Sequence, residues 1–177
     1  MNSDDIWKEL HDLFDTDDGS LPEIRIANLS KQEVVRVFGR LQQYCRNING
    51  TFWSKKDQED RSIDSVPNAA LLVTDGRAEA FHVLCSQLHY AGIAIPDLGV
   101  CVSDDEISLD YRMSSQWNSE NLRAFFQLLK ELAELSANAR VRLEKGVLED
   151  VRKKFEDTWA TFMRNTAVTY GADSRVE

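Results

Sequence analysis

The chain has 177 residues, 42% apolar and 29% charged, with eight glycines and three prolines. That is the composition of one globular domain able to bury about 70% of its unfolded surface, and it excludes a disordered or fibrous polymer. Lysine and arginine number 21 against 30 acids, a net charge of −9, which opposes nucleic-acid binding because every phosphate contact needs a base.

The charge is unevenly placed. Residues 1–23 hold eight acids (Asp4, Asp5, Glu9, Asp12, Asp15, Asp17, Asp18 and Glu23) against Lys8, so the front segment alone carries −7 and the rest of the chain −2. No apolar run approaches the roughly 18 residues of a membrane span, and the start MNSDDIWKEL lacks the basic and apolar regions of a signal peptide. A cytoplasmic location with no membrane contact is expected. Cys45, Cys85 and Cys101 are an odd set without a CxxC pair, each in an apolar pattern, and read as reduced core residues.

In chain order, Ile6, Trp7, Leu10, Leu13 and Phe14 recur at helical spacing, with Ser3 as a cap and Asp4 and Asp5 favoured by the helix dipole in the first turn. Residues 15–22 form a turn-rich connection. A strand over 23–29 leads into Ser30-Lys31-Gln32-Glu33, a capping box that opens a helix to about Cys45. Val34, Phe38, Leu41 and Cys45 are its buried face, and Gly39 allows a close contact. Asn47–Gly50 is read as a stop, Thr51–Trp53 as the opening of a strand, and the polar run 55–61 as a hairpin tip.

The short apolar run 69–74 reads as a strand, and 77–90 as a helix with Phe81, Leu84, Cys85 and Leu88 inward, ended by Gly92. Residues 98–113 form the clearest hairpin: Leu98, Val100 and Val102 alternate, Ile107, Leu109, Tyr111 and Met113 alternate, and Asp104 and Asp105 occupy the turn. A helix over 119–135 carries Leu122, Phe125, Phe126, Leu129 and Leu132. A strand over 139–143 and a helix over 147–165 with Leu148, Val151, Phe155, Trp159, Phe162 and Met163 on one side complete the pattern, before a frayed tail from 169.

This order predicts a single α+β (mixed α/β) domain: a mixed or largely antiparallel sheet of five to six strands packed against several helices, with N- and C-terminal helices flanking. Residues 1–22 are an acidic helix and loop, 23–168 the domain, and 169–177 the tail.

No nucleophile, dinucleotide, phosphate-loop or zinc-protease motif occurs. Around Asp15–Gly19, a calcium loop aligned on Gly19 would need an acid where Phe14 stands and a glutamate where Arg25 stands. His82 and Cys85 have helical metal-ligand spacing but no second pair. No metal and no cofactor are expected. Asp104, Asp105, Glu106 and Asp110 could serve acid–base chemistry, yet three of them sit at a hairpin tip in high dielectric.

What remains is protein binding. An acidic surface attracts a basic partner and speeds association. The expected contacts are Asp15, Asp17 and Asp18, with Asp104, Asp105 and Glu106 as the second patch. The expected class is a non-catalytic protein-binding domain, of the kind that includes immunity-type inhibitors of basic bacterial toxins; the alternative is a small enzyme using carboxylates.

Overall fold

A computed structural model describes residues 3–17, 19–144 and 148–171, the side chains of 167–171 excepted. The described chain runs α1 (Ser3–Leu10), a 3-10 turn (His11–Leu13), β1 (Glu23–Ala27), α2 (Lys31–Tyr44), β2 (Cys45–Ser54), β3 (Glu59–Ser62), a second 3-10 turn (Ile63–Ser65) and α3 (Ala70–Thr74). It continues through β4 (Phe81–Tyr90), β5 (Ile93–Ile95), β6 (Leu98–Val102), β7 (Ile107–Tyr111), α4 (Ser119–Ala133), β8 (Arg140–Leu143) and α5 (Glu149–Gly171).

The eight strands form one sheet in the order β3-β2-β4-β6-β7-β1-β8, with β5 pairing β4 beyond the end of β6, and every pairing is antiparallel. The α+β class is therefore as expected, with more strands than the five or six read from the sequence. Alternation decides the layering. Ile24, Ile26, Val83, Cys85, Leu98, Val100, Val102, Ile107, Leu109 and Tyr111 are buried toward the helices, whereas Arg25, His82, Leu84, Cys101 and Asp110 turn to the other face and retain solvent contact.

Two segments exchange the structures expected of them. Residues 81–90 are a strand, not a helix, because burial follows Phe81, Val83 and Cys85 at period two. Gln87 then adopts φ 54°, the alternation slips by one, and Leu88 returns to the core. A strand with one slip thus reproduces the 81, 84/85, 88 spacing of a helix face, and Leu84, expected inward, is 44% exposed. Conversely, residues 70–74 form α3, a single turn bounded by Asn68, whose Oδ1 accepts from the Ala70 N–H at 3.0 Å while its Nδ2 donates to the Val35 carbonyl at 3.0 Å. That amide lies 3.0 Å from where a Cβ on Gly39 would stand, so Gly39 does make the close contact expected of it.

Other boundaries also move. Asn47–Gly50 does not stop the chain: α2 passes directly into β2 at Cys45, and a Cβ on Gly50 would lie 2.7 Å from Val83 Cγ1, so glycine permits the strands to approach. Ser3 is the first residue of α1 and not its cap. The polar run after Ser54 is a turn followed by β3. α5 extends through 169–171, while residues 172–177 of the expected tail lie outside the described residues.

Core packing joins the ends of the chain. Ile6, Leu10 and Phe14 are fully buried, α1 packs on α4 and α5, and Trp7 is half-buried. Phe126 meets Phe155, Trp159 and Phe162 edge-on at 5.5–5.9 Å, fixing α5 to α4. Leu148, placed on that inner face by its spacing, is instead 72% exposed. No described helix is long and apolar enough to cross a membrane.

Candidate functional site

The helices leave one face of the sheet uncovered, and the strand register writes its surface in rows. Asn49 on β2 is opposite Leu84 on β4, Leu84 opposite Gly99 on β6, Gly99 opposite Asp110 on β7, and Asp110 opposite Glu23 on β1. In the next row His82, Cys101, Ser108, Arg25 and Arg142 follow one another across β4, β6, β7, β1 and β8. Trp53, 40% exposed, shares the parity of Asn49 on β2 and stands toward the far edge.

The centre of this face is a histidine–carboxylate contact built over a glycine. His82 Nε2 lies 2.6 Å from Asp110 Oδ2, although β6 runs between their strands. The carboxylate crosses that strand at Gly99, where any Cβ would come within 2.2–2.5 Å of it. Glycine at this position is what lets Asp110 reach the imidazole. Sequence reasoning weighed Asp110 only as a catalytic acid and did not join it to His82; the available signal was a glycine at an outward position of an alternating strand.

Cys101 faces the same surface with its thiol disfavoured as an anion. Burial pushes its thiol up, and the carboxylates of Glu23, Glu106 and Asp110 reinforce the effect despite a hydrogen bond with Ser108. Cys85 points through the sheet to the core, opposite in direction to His82, so the helical His82–Cys85 spacing creates no shared ligand geometry. The neighbouring Cys45 thiol, which itself donates to the Asn47 and Ser86 carbonyls, together with burial raises Cys85 far above the ordinary thiol range. Among the described residues, no three His, Cys, Asp or Glu side chains gather as a metal site.

Arg25 organises the β1 side. Its Nε is 3.1 Å from Glu23, Nη1 is 3.2 Å from Glu106 and Nη2 is 3.9 Å from Glu144. A cleft of about 400 Å3 beside it is lined by Arg25, Arg142, Leu143, Glu149, Arg152 and Glu156. Its arginines are largely matched by acids, Arg152 pairing with Glu149 and Arg25 with its three glutamates, so the cleft has little excess charge with which to hold an anion. A second cleft, about 340 Å3 between α2, β2 and the second 3-10 turn, has Asp64 as its single carboxylate.

The residues expected to bind a partner fall in two places. Asp15 and Asp17 are exposed after the first 3-10 turn, Asp15 beside His11 at 3.7 Å and Asp17 beside Arg112 at 3.6 Å; Asp18 lies outside the described residues. Asp104 and Asp105 are exposed at the β6–β7 tip, where Ser103 Oγ donates to Asp105 and accepts from the Glu106 N–H. Glu106 turns back to Arg25. Because β7 separates Glu106 from Arg112, the patches stand roughly 20 Å apart at about 3.4 Å per residue. They do not form one surface. The tip does adjoin the uncovered face, since Glu106, Ser108 and Asp110 share a parity on and beside β7.

Comparison with known proteins gives no match: no family model fits the chain, and no curated protein or solved structure is significantly similar to it.

Proposed function

We propose that this protein is a non-catalytic binding domain that engages a basic surface of another protein, acting as an immunity-type inhibitor of a basic bacterial toxin does. The observation that carries the reading is the uncovered face of the sheet, an extended surface of charged and polar side chains, Arg25, His82 and Arg142 among them, with two exposed apolar ones, Leu84 and Trp53. The carboxylates weighed for acid–base work support it. Asp104 and Asp105 stand in solvent, while Glu106 and Asp110 are engaged by Arg25 and His82, so no pair faces a common substrate position. Three free cysteines fit a reducing, cytoplasmic compartment.

The test is affinity purification of the tagged chain from its native source, with the product of the neighbouring gene examined first, followed by association kinetics at several salt concentrations. The expected result is a basic partner whose association slows as salt rises. Since the two acidic patches are far apart, neutralising one set, D104N/D105N or D15N/D17N, slows association more than neutralising the other. A partner without basic character, or association indifferent to salt and to both sets, overturns the proposal.

A further inference from the structure

We infer that Cys45 and Cys85 form a peroxide-responsive thiol pair, in which Cys45 takes the oxidant and Cys85 closes a reversible disulfide between the start of β2 and β4. This goes beyond the binding reading above and does not depend on it.

Strand pairing and side-chain direction bring the two sulfurs together. On the β2–β4 ladder Cys45 stands opposite Leu88 and Ile48 opposite Cys85. Register alone would hold the two cysteines three residues apart, but the Cys45 side chain turns back along its strand. Its Sγ lies 3.2 Å from the Asn47 carbonyl oxygen and 3.5 Å from that of Ser86, the residue that follows Cys85. The two thiols are thereby neighbours, each altering the acidity of the other. Cys101, on β6 in the row of His82, faces the opposite side of the sheet from Cys85 and has no place in the pair.

Access separates their roles. Cys45 is half-buried and lines the cleft of about 340 Å3 together with Gln42, Arg46 and Asn47, whereas Cys85 is fully buried. A small oxidant entering that cleft meets Cys45 and is shielded from Cys85. The Cys45 thiol, held below the ordinary range chiefly by the adjacent Cys85, is also the better source of thiolate.

The chemistry balances with hydrogen peroxide as the two-electron oxidant. The Cys45 thiolate attacks one peroxide oxygen, the O–O bond breaks, and hydroxide leaves as the S–O bond of a sulfenic acid forms. The Cys85 sulfur then attacks the Cys45 sulfur, the S–S bond forms as the S–O bond breaks, and the Cys85 proton leaves with the departing hydroxide as water. A protonated sulfenic acid carries no charge. The anionic neighbour that helps to keep Cys85 protonated is therefore gone at the step in which Cys85 gives up its proton. Exchange with a small-molecule thiol such as glutathione restores both cysteines.

The experiment exposes the full chain, reduced and then freed of reductant, to hydrogen peroxide, alkylates the remaining thiols, digests with trypsin and sequences the peptides by tandem mass spectrometry, which places a link at Cys85 or at Cys101. The expected product is a monomeric chain lighter by two hydrogen atoms, with Cys45 joined to Cys85 and the link reversed by dithiothreitol. In C85S the Cys45 sulfenic acid has no thiol to close on and is trapped by dimedone; in C45S the buried Cys85 stays reduced. Should C85S misfold, the parent digest and C45S carry the comparison. A parent in which Cys45 is oxidised without the link to Cys85, or stays reduced while Cys101 is oxidised, overturns the pair. Links formed only between chains, or oxidation of Cys85 in folded C45S, overturn it equally.

Discussion

Phe14 lies flat on Tyr111, ring centroids 4.5 Å apart and planes within 8°, and the Tyr111 hydroxyl donates to the Leu13 carbonyl at 3.1 Å. The end of the acidic front segment is thereby fixed to the last residue of β7, with Trp117 and Phe125 closing the cluster edge-on. Burial alone pushes the Tyr111 phenol far above its ordinary range. Truncating Phe14 to alanine should cost about 3–5 kcal/mol, read as a lowered denaturant midpoint, and deleting residues 1–15 should lower the melting temperature. An unchanged melting curve for the deletion would mean that α1 contributes nothing to the body of the domain.

Substituting Gly99 by alanine places a methyl group where the Asp110 carboxylate lies, so the His82–Asp110 contact must open. The pair is well exposed on the histidine side, and such pairs contribute about 0.2–1 kcal/mol. G99A and D110N should therefore each cause a small loss of stability, and the double variant should lose less than their sum. The 15N spectrum of His82 should change alike in both. A parent-like imidazole spectrum in G99A would show that the carboxylate does not need the open strand.

The capping box at the start of α2 gives a pH dependence of known sign. The Ser30 N–H donates to Glu33 Oε2 at 2.7 Å and Ser30 Oγ accepts from the Glu33 N–H at 3.4 Å. The Ser30 backbone bond is the main reason the Glu33 carboxyl is held below its ordinary 4.5. A lowered folded-state pKa stabilises the protein fully above the ordinary value, and that contribution is lost as pH falls through the lowered one. The stability gap between the parent and E33Q should therefore be largest near neutrality and shrink on acidification. S30A should cost about 1 kcal/mol by removing the cap. A gap that widens toward acid would contradict the cap geometry.

The three thiols should differ sharply toward an alkylating reagent. Cys85, pushed up by the neighbouring Cys45 thiol and by burial, should react only on unfolding. Cys45 is half-buried and its thiol is held below the ordinary range chiefly by the adjacent Cys85, so it should be labelled first; Cys101, held up by burial and by Glu23, should follow. Peptide mass spectrometry after timed alkylation reads the order. Labelling of Cys85 in the native protein at the Cys45 rate would refute the placement.

Local chemistry was legible where one residue type does one job. The Ser30–Glu33 box, the turn at Asp104 and Asp105 and the stripe from Leu122 to Leu132 all stand where spacing puts them. Residues 81–90 were not legible, because a strand that slips once at Gln87 carries the apolar spacing of a helix, and only pairing with β2 and β6 decides between them. That error also hid the candidate surface. With 81–90 as a helix, His82 has no neighbour on β6, and neither the crossing of Asp110 over Gly99 nor the exposure of Leu84 can be foreseen. Equally, Asp17 beside Arg112 and Asp12 beside Lys154 are contacts across the sequence that no window of it contains.

The meeting of early and late segments also sets the order of events during synthesis. Ile26 on β1 is held by Ile107 on one side and Val141 on the other, and Asp12 reaches Lys154 on α5. A nascent chain that has delivered α1, β1 and α2 to the ribosomal exit therefore has no edge on which β1 can close and no α4 or α5 on which Ile6, Leu10 and Phe14 can be covered. Such long-separation pairing slows folding. The apolar side of the acidic front helix therefore has nothing to pack on until α4 and then α5 have followed it.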